Sequence, residues 1–182
     1  MIENGYAATS VDRVIAEAQS SKGSFFHHFA SKDDLARALV ERYAAADIAH
    51  LDAAIAAVSA ATDDPAQRVL AFVRIFEDGA DELMSIQSSC LYVSVLTERE
   101  LVQRGTSAQI DRAIVAWREA LVRLLEDALP HPGDLNLSAL ADHVFVTFEG
   151  SFILSRATGE PRHMRAQLQI VRQLLETLLQ GV

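Results

Sequence analysis

The sequence predicts an all-α protein, and three features of the 182-residue chain carry that prediction. Only four prolines interrupt it, and the stretches between them are rich in Ala, Leu, Glu, Arg and Gln, which lose little on entering a helix. Apolar residues recur at helical spacing along most of these stretches. No period-two run of β-branched residues indicates a strand, and we find no internal repeat.

Capping residues and breaks divide the chain into eight predicted helices. Thr9-x-x-Asp12 has the spacing of a capping box, and Ser31-x-x-Asp34 repeats it. The third helix is the longest, and its length predicts that it connects two domains. The first three predicted helices cover about residues 10–18, 21–28 and 31–60, and the fourth opens at Pro65 and weakens near Gly79. The others cover about residues 85–103, 109–129, 137–157 and the segment from the break at Pro161 to 180.

The composition predicts a globular chain in a reducing compartment. Half of the residues are hydrophobic and 23% are charged, which suits a sizeable core and excludes a disordered tail. Cys90 is the single cysteine, so a disulfide framework and a four-thiolate zinc site are excluded. The amino end lacks an export signal, and no run approaches the ~20 apolar residues that span a bilayer. We expect a cytoplasmic protein with no membrane partner, metal or cofactor.

The charge is distributed unevenly along the chain. Sixteen basic and 25 acidic residues give a formal net charge of −9, which argues against loose attraction to polyanions. Residues 1–43, however, hold five basic and six acidic residues, so nearly all of the excess negative charge lies beyond them. We therefore expect any polyanion to meet the amino-terminal part.

No pattern in the sequence indicates an enzyme or a catalytic residue. It contains no Gly-rich phosphate loop, no metal-spaced cluster of His, Cys and Glu, and no pairing of a nucleophile with a base. His27 and His28 are adjacent, so on a helix they diverge by about 100° and form a poor chelate.

The amino-terminal region has the pattern of a helix-turn-helix, in which two short helices joined by a tight turn precede a longer one. Many helical bundles contain such a corner, so the pattern alone is weak evidence. The residues are more specific: they include the segments Gly5-Tyr6-Ala7-Ala8-Thr9-Ser10-Val11, Ile15-Ala16, Ser21-Lys22-Gly23-Ser24-Phe25-Phe26-His27-His28-Phe29 and Ser31-Lys32-Asp33-Asp34-Leu35. These segments closely resemble the DNA-binding domain of TetR-type (tetracycline-repressor-like) transcriptional regulators.

The resemblance is clear over residues 5 to about 40, and the rest of the chain agrees with the family only in length and helix count. It implies a helix-turn-helix DNA-binding domain over residues 1–43 and a helical effector-binding and dimerisation domain over residues 44–182. It also implies a homodimer that binds a double-stranded DNA operator and a small-molecule effector. A ligand-responsive regulator, most often a repressor in this family, is the expected function.

The resemblance also implies individual DNA contacts. Thr9, Lys22, His28 and Lys32 would grip phosphates, while Ser24, Phe26 and His27 would lie nearest the bases, and Gly23 lets the backbone approach closely. Position 26 commonly holds tyrosine in the family, so here an apolar contact to a thymine methyl replaces a phenolic one. From spacing alone, we expect the small domain's core to contain Val14, Ile15, Phe25, Phe29 and Leu35.

The chain departs from the family at its amino end. The family has a full, usually basic helix before the positions of Gly5 and Tyr6, and only residues 1–4 stand in its place. The first helix therefore looks truncated. We expect that the printed chain lacks its true amino terminus, because the remaining motif is intact. The alternative is a helical dimeric protein that binds small molecules or acts as an adaptor without binding DNA.

Aromatic residues concentrate in the middle helices. At helical spacing each of them fills a core more often than it contacts a ligand, but as a group they can surround an apolar molecule. The candidate pocket residues are Phe72, Phe76, Tyr92, Trp117, Phe148 and Phe152. Polar residues available to orient such a ligand are His143, Thr147, Glu149, Ser151, Arg156, Glu98 and Gln87. Cys90, flanked by Ser89 and Leu91, is expected to be a small buried residue rather than a redox sensor.

The last two predicted helices carry broad apolar faces. A single domain cannot easily cover both, so we expect a two-fold four-helix interface, with Gly150 and Ser151 allowing close approach. The apolar residues on these faces are Leu137, Leu140, Val144, Phe148, Phe152, Leu168, Val171, Leu174, Leu175, Leu178 and Leu179.

Overall fold

A computed structural model describes residues 5–86, 90–103 and 107–180, and these residues form helices without a strand. The predicted all-α class is confirmed. In chain order the helices are α1 (Val11–Glu17), α2 (Lys22–His28), α3 (Lys32–Ala61), α4 (Pro65–Ile86), α5 (Leu91–Leu96), α6 (Arg99–Gln103), α7 (Ser107–Ala128), α8 (Leu137–Thr158) and α9 (His163–Gln180).

The capping prediction is confirmed at the start of α3, where Ser31 Oγ accepts the Asp34 N–H at 3.1 Å. At the start of α8, Asn136 Oδ1 accepts the Ala139 N–H at 3.0 Å in the same way. The prediction of one helix over 85–103 is wrong in the described part, where α5 and α6 are separated by the turn at Thr97 and Glu98. Helix α4 continues through Gly79, where the sequence predicts a weakening, because one glycine in a helix costs only about 1 kcal/mol.

The chain divides into two compact units. The first comprises residues 1–47 and 89–113, and the second comprises residues 48–88 and 114–182. A boundary after residue 43 also lies within α3, so both divisions share that helix between the two parts. The difference is that α5 and α6 belong to the same unit as the amino-terminal helices.

The first unit has a small core. Phe25 and Leu35 are buried as predicted, whereas Ile15 and Phe29 are half-buried. Val14 is also half-buried, because it borders a groove of about 570 Å³ walled mainly by α1, α3, α5 and α6. Cys90 is buried, as expected of a small apolar residue.

The second unit has a larger core, in which α9 packs on α4 and α8. Phe72, Leu125 and Leu175 are almost completely buried there. An ion pair between Arg172 Nε and Glu77 Oε2 at 2.6 Å joins α9 to α4 with both side chains largely shielded from solvent. Such a pair fixes the register of two helices, because separating its charges in a shielded site costs several kcal/mol.

Helices α3 and α8 are long and apolar enough to cross a membrane by length and composition alone. This differs from the expectation that no run approaches the ~20 apolar residues of a membrane span. Core helices of soluble proteins share this composition, so the property by itself assigns neither helix to a bilayer.

Tyr92 is held tightly within the first unit. Its hydroxyl donates to Asp47 Oδ2 at 2.7 Å, and its ring meets the Tyr43 ring edge-on at 5.3 Å between centroids. Burial, followed by hydrogen bonding to Asp47 and repulsion from that carboxylate, raises the pKa of Tyr92 well above its ordinary value near 10. Above pH 10 the folded state therefore retains the phenol proton of Tyr92, whereas the unfolded state loses it.

We predict that Tyr92→Phe lowers the free energy of unfolding by about 1 kcal/mol below pH 10, because it removes this hydrogen bond. Above pH 10 the phenol ionises in the unfolded state first. The difference in free energy of unfolding between the wild type and Tyr92→Phe therefore falls by about 1.4 kcal/mol per pH unit. Urea unfolding of both proteins between pH 8 and 11 measures this. A difference that stays constant or grows above pH 10 would contradict the assignment.

Candidate nucleic-acid interface

Serine caps define the two short helices of the motif. Ser10 Oγ accepts the Arg13 N–H at 3.2 Å to open α1, and Ser21 Oγ accepts the Ser24 N–H at 3.0 Å to open α2. The capping box predicted Thr9 as the cap of α1, whereas the structure has Ser10 in that position. Between the helices, Gln19 adopts a left-handed φ of 49°, which turns the chain within two residues.

Helix α2 buries one side chain and exposes the rest. Phe25 is 6% exposed, whereas the Phe26 ring beside it is 49% exposed and meets it edge-on. The other exposed residues of α2 are Lys22, Gly23, Ser24, His27 and His28. The structure thus places six of the eight predicted DNA-contact residues together on the solvent-facing surface of one helix.

Thr9 and Lys32 have a different environment. Thr9 is buried, and its hydroxyl donates to the Gly5 carbonyl at 2.7 Å. Lys32 is half-buried, its Nζ donates to the Tyr6 carbonyl at 3.0 Å, and the ammonium lies 4.0 Å from the centre of the Tyr6 ring. Both side chains stabilise the turn before α1, because their polar groups already have protein partners.

The charge on α2 is available to a phosphate. Lys22 Nζ lies 3.7 Å from Asp12 Oδ1, but both side chains are strongly exposed. Exposed pairs of this kind contribute about 0–1 kcal/mol, so a phosphate competes with Asp12 easily. The rings of His27 and His28 stack edge to face at 5.1 Å, which keeps both imidazoles at the same end of the helix.

The sequence analysis missed the role of Tyr6. This side chain is 5% exposed, and its hydroxyl donates to Asp33 at the start of α3. Its backbone N–H donates to Glu98 Oε1 at 3.1 Å. Tyr6 stood in the quoted motif, but no local pattern reveals partners 27 and 92 residues away.

Five of the six predicted pocket aromatics form one cluster in the second unit. Phe76 is central: its ring lies 5.1 Å from those of Phe72 and Trp117 and 6.1 Å from that of Phe148. Phe152 extends the cluster from Phe148. Tyr92 is the exception, because α5 belongs to the first unit.

Of the polar candidates, one lies in the other unit and one falls outside the part of the chain that the structure describes. Glu98 is in the first unit, bonded to Tyr6, and Gln87 lies outside the described residues. Ser151 is buried, and its hydroxyl donates to the Thr147 carbonyl at 2.6 Å. Within the described ranges, no group of three or more His, Cys, Asp or Glu residues could hold a metal ion.

The apolar faces predicted for α8 and α9 are partly consumed inside the second unit. Val144, Phe152, Leu168, Val171 and Leu175 are all buried, because α9 packs on α4 and α8. Of the predicted face residues, Leu174 remains exposed, and four apolar side chains that were not predicted are exposed with it: Val146, Ile153, Leu154 and Ile170. Gly150 has open space where a Cβ would lie, whereas the buried Ser151 does not face outward.

A helix-turn-helix whose second helix faces solvent, followed by a helical bundle, defines the class of DNA-binding regulators. Residues 1–39 match the family model described as "Bacterial regulatory proteins, tetR family". The matched residues comprise α1, α2 and the start of α3, so the amino-terminal part of the chain resembles the DNA-binding domain of this family. The sequence-based resemblance is confirmed, as is the expectation that the protein is not an enzyme, since its relatives are transcriptional regulators.

Known proteins are similar to this chain over most of its length. Transcriptional regulator AcuR of Cereibacter sphaeroides is 26% identical over 164 residues, which cover 88% of this chain and 73% of that protein. The fold matches the regulatory protein TetR from Rhodobacter sphaeroides with a TM-score of 0.76 and 24% identity, covering 94% and 90% of the two chains. Reduced E. coli NemR matches with a TM-score of 0.73 and 18% identity, covering 94% and 89%.

Proposed function

We propose that the chain is a cytoplasmic, homodimeric repressor that binds an operator through α2 and releases it when an apolar effector binds the second unit. The observation that carries the DNA-binding part is the arrangement of α2. Phe25 anchors the helix, and every other side chain on it is exposed, including a lysine and two histidines.

The chemistry of α2 suits the major groove. Lys22 and His28 supply donors for phosphates, which position a protein on DNA without reading sequence. Ser24 and His27 offer hydrogen-bonding groups to base edges, and the exposed Phe26 ring suits a thymine methyl. Because α2 is short, a few base pairs are within its reach, so a second copy of the protein is needed to read a longer site.

We predict that Lys22→Ala weakens binding to DNA about equally across sequences and reduces the salt dependence by about one released counterion. His28→Ala should act in the same direction. The probe is a duplex that the wild-type protein enriches from a random-sequence library, and affinity is measured by fluorescence anisotropy at several salt concentrations.

Arg123→Ala serves as the control, because it removes an exposed positive charge from α7 instead. Equal losses for Lys22→Ala and Arg123→Ala would show a general charge effect and contradict a DNA-reading α2. A library that yields no enriched duplex would favour a small-molecule-binding or adaptor protein without DNA binding.

Dimerisation through α8 and α9 is supported by their exposed apolar side chains. Val146, Ile153 and Leu174 are 62%, 58% and 59% exposed, and Leu154 and Ile170 extend the patch. Large apolar residues gathered on adjacent helices indicate an interface. A two-fold interface of this kind presents two copies of α2 to half-sites ~34 to 36 Å apart.

We predict that Leu174→Glu converts the dimer to a monomer of 19.9 kDa in analytical ultracentrifugation. Leu174 is exposed within one chain, so the added charge leaves the fold intact but is buried without a partner in the dimer. Gln169→Glu adds the same charge to another exposed part of α9 and should remain dimeric. A Leu174→Glu protein that stays dimeric would exclude this interface.

The aromatic cluster supports an apolar effector. Its rings stack edge-on around Phe76, so a flat apolar molecule can replace ring contacts without leaving a polar group unpaired. His50 of α3 also contacts the Phe76 ring, at 5.4 Å between centroids. A ligand that displaces Phe76 therefore acts directly on the long helix that continues into the first unit. The effect on DNA requires that the ligand bind the two states with different affinity.

We predict that an effector found in a panel of substituted benzenes and naphthalenes shifts the fluorescence of Trp117, the single tryptophan, and weakens duplex binding. The expected loss is between about fivefold and 150-fold, the usual range of coupling between two sites. Compounds that shift the fluorescence but leave DNA affinity constant would contradict the proposal that α3 transmits the effect of the ligand to the DNA-binding motif.

A further inference from the structure

Glu98 connects the turn between α5 and α6 to the beginning of the DNA-binding motif. Its Oε1 atom accepts the backbone N–H of Tyr6 at 3.1 Å, across 92 residues of sequence. Gly5 adopts a φ of +75°, and a Cβ on it would lie only 3.1 Å from the same oxygen. A glycine there both permits the left-handed turn and leaves room for the carboxylate.

Tyr6 in turn organises the starts of α1 and α3. Its carbonyl accepts the Thr9 N–H at 3.2 Å and the Lys32 ammonium at 3.0 Å. Its hydroxyl donates to Asp33. The Glu98 carboxylate is therefore the one contribution from α5 and α6, among the described bonds of Tyr6, to a network that fixes the entry of both helices.

The segment that carries Glu98 has its own attachment. Tyr92, six residues earlier on α5, donates its hydroxyl to Asp47 of α3 at 2.7 Å, and its ring is buried. This bond anchors α5 on α3 within the first unit. The helix that precedes Glu98 is therefore held on α3 by a bond that does not involve the Gly5–Tyr6 turn.

We propose that Glu98 is a positioning residue for DNA recognition: its carboxylate holds the Gly5–Tyr6 turn and thereby the starts of α1 and α3, the two helices that flank α2 in the chain. The proposal rests on the proposed DNA-binding function. Losing the acceptor leaves the Tyr6 N–H unpaired in a partly buried turn. The turn and the helix starts that it holds then sample other arrangements. DNA then binds only the fraction of molecules that retains the competent arrangement.

A positioning role and a simple charge effect predict opposite signs. A carboxylate near a DNA-binding surface repels phosphates, so its removal tightens binding if charge is all that matters. If Glu98 positions the turn, its removal weakens binding. The neutral Glu98→Gln keeps an oxygen that can accept the Tyr6 N–H, whereas Glu98→Asp keeps the charge but withdraws the oxygen by one methylene.

The test measures the affinity of the full-length variants for the duplex selected by the wild-type protein. Glu98→Ala should bind about tenfold more weakly and Glu98→Asp should also be weaker, whereas Glu98→Gln should match the Glu126→Gln control. Glu126 is exposed on α7, so its replacement removes one negative charge far from the turn in sequence. Amide hydrogen exchange at Tyr6 should accelerate in the Ala and Asp variants and remain slow in the Gln variant.

Glu98→Ala or Glu98→Asp binding as tightly as the wild type would overturn the proposal, as would Glu98→Gln binding as weakly as Glu98→Ala. If Glu98→Ala does not fold, the comparison of the Asp and Gln variants decides in the same way. Lys22→Ala separates this result from the proposed function: loss of affinity in Lys22→Ala with none in the Glu98 variants contradicts the positioning role alone.

Discussion

The burial of Phe25 fixes how α2 presents its other side chains. Seven residues make about two turns, too short for a stable isolated helix, so α2 depends on contacts outside itself. Phe25 is its one buried side chain, and covering a ring of that size contributes about 2 to 3 kcal/mol. Once that ring points inward, the 100° step per residue turns Ser24, Phe26 and His27 away from the core.

Rotation alone does not place α2, because its neighbours must also be fixed. Exposed ion pairs such as Lys22 with Asp12 contribute little to this. The stronger constraints are the serine caps, which open α1 and α2, and the partly buried network around Tyr6. A motif that must be precise over a few ångströms thus depends on short polar contacts as much as on its small core.

Sequence patterns predicted the local features and missed the long-range ones. The exposed residues of α2 and the cap at Ser31 follow from spacing within one or two turns, so the sequence revealed them. The phosphate contact of Lys32 stays a prediction, and nothing local shows that its ammonium also donates to the Tyr6 carbonyl, 26 residues away. Tyr92 was grouped with the other aromatics because composition does not report that α5 packs with the amino-terminal helices.

The same limit explains the faces of α8 and α9. Hydrophobic periodicity shows that a helix has an apolar face, but not whether its own domain or another molecule covers it. Val144 and Val146 are equally apolar, but Val144 is buried and Val146 is 62% exposed because they lie about 200° apart on α8. On α9 the neighbours Ile170 and Val171 divide in the same way. Both helices therefore carry two apolar surfaces, and one bundle buries only one of them.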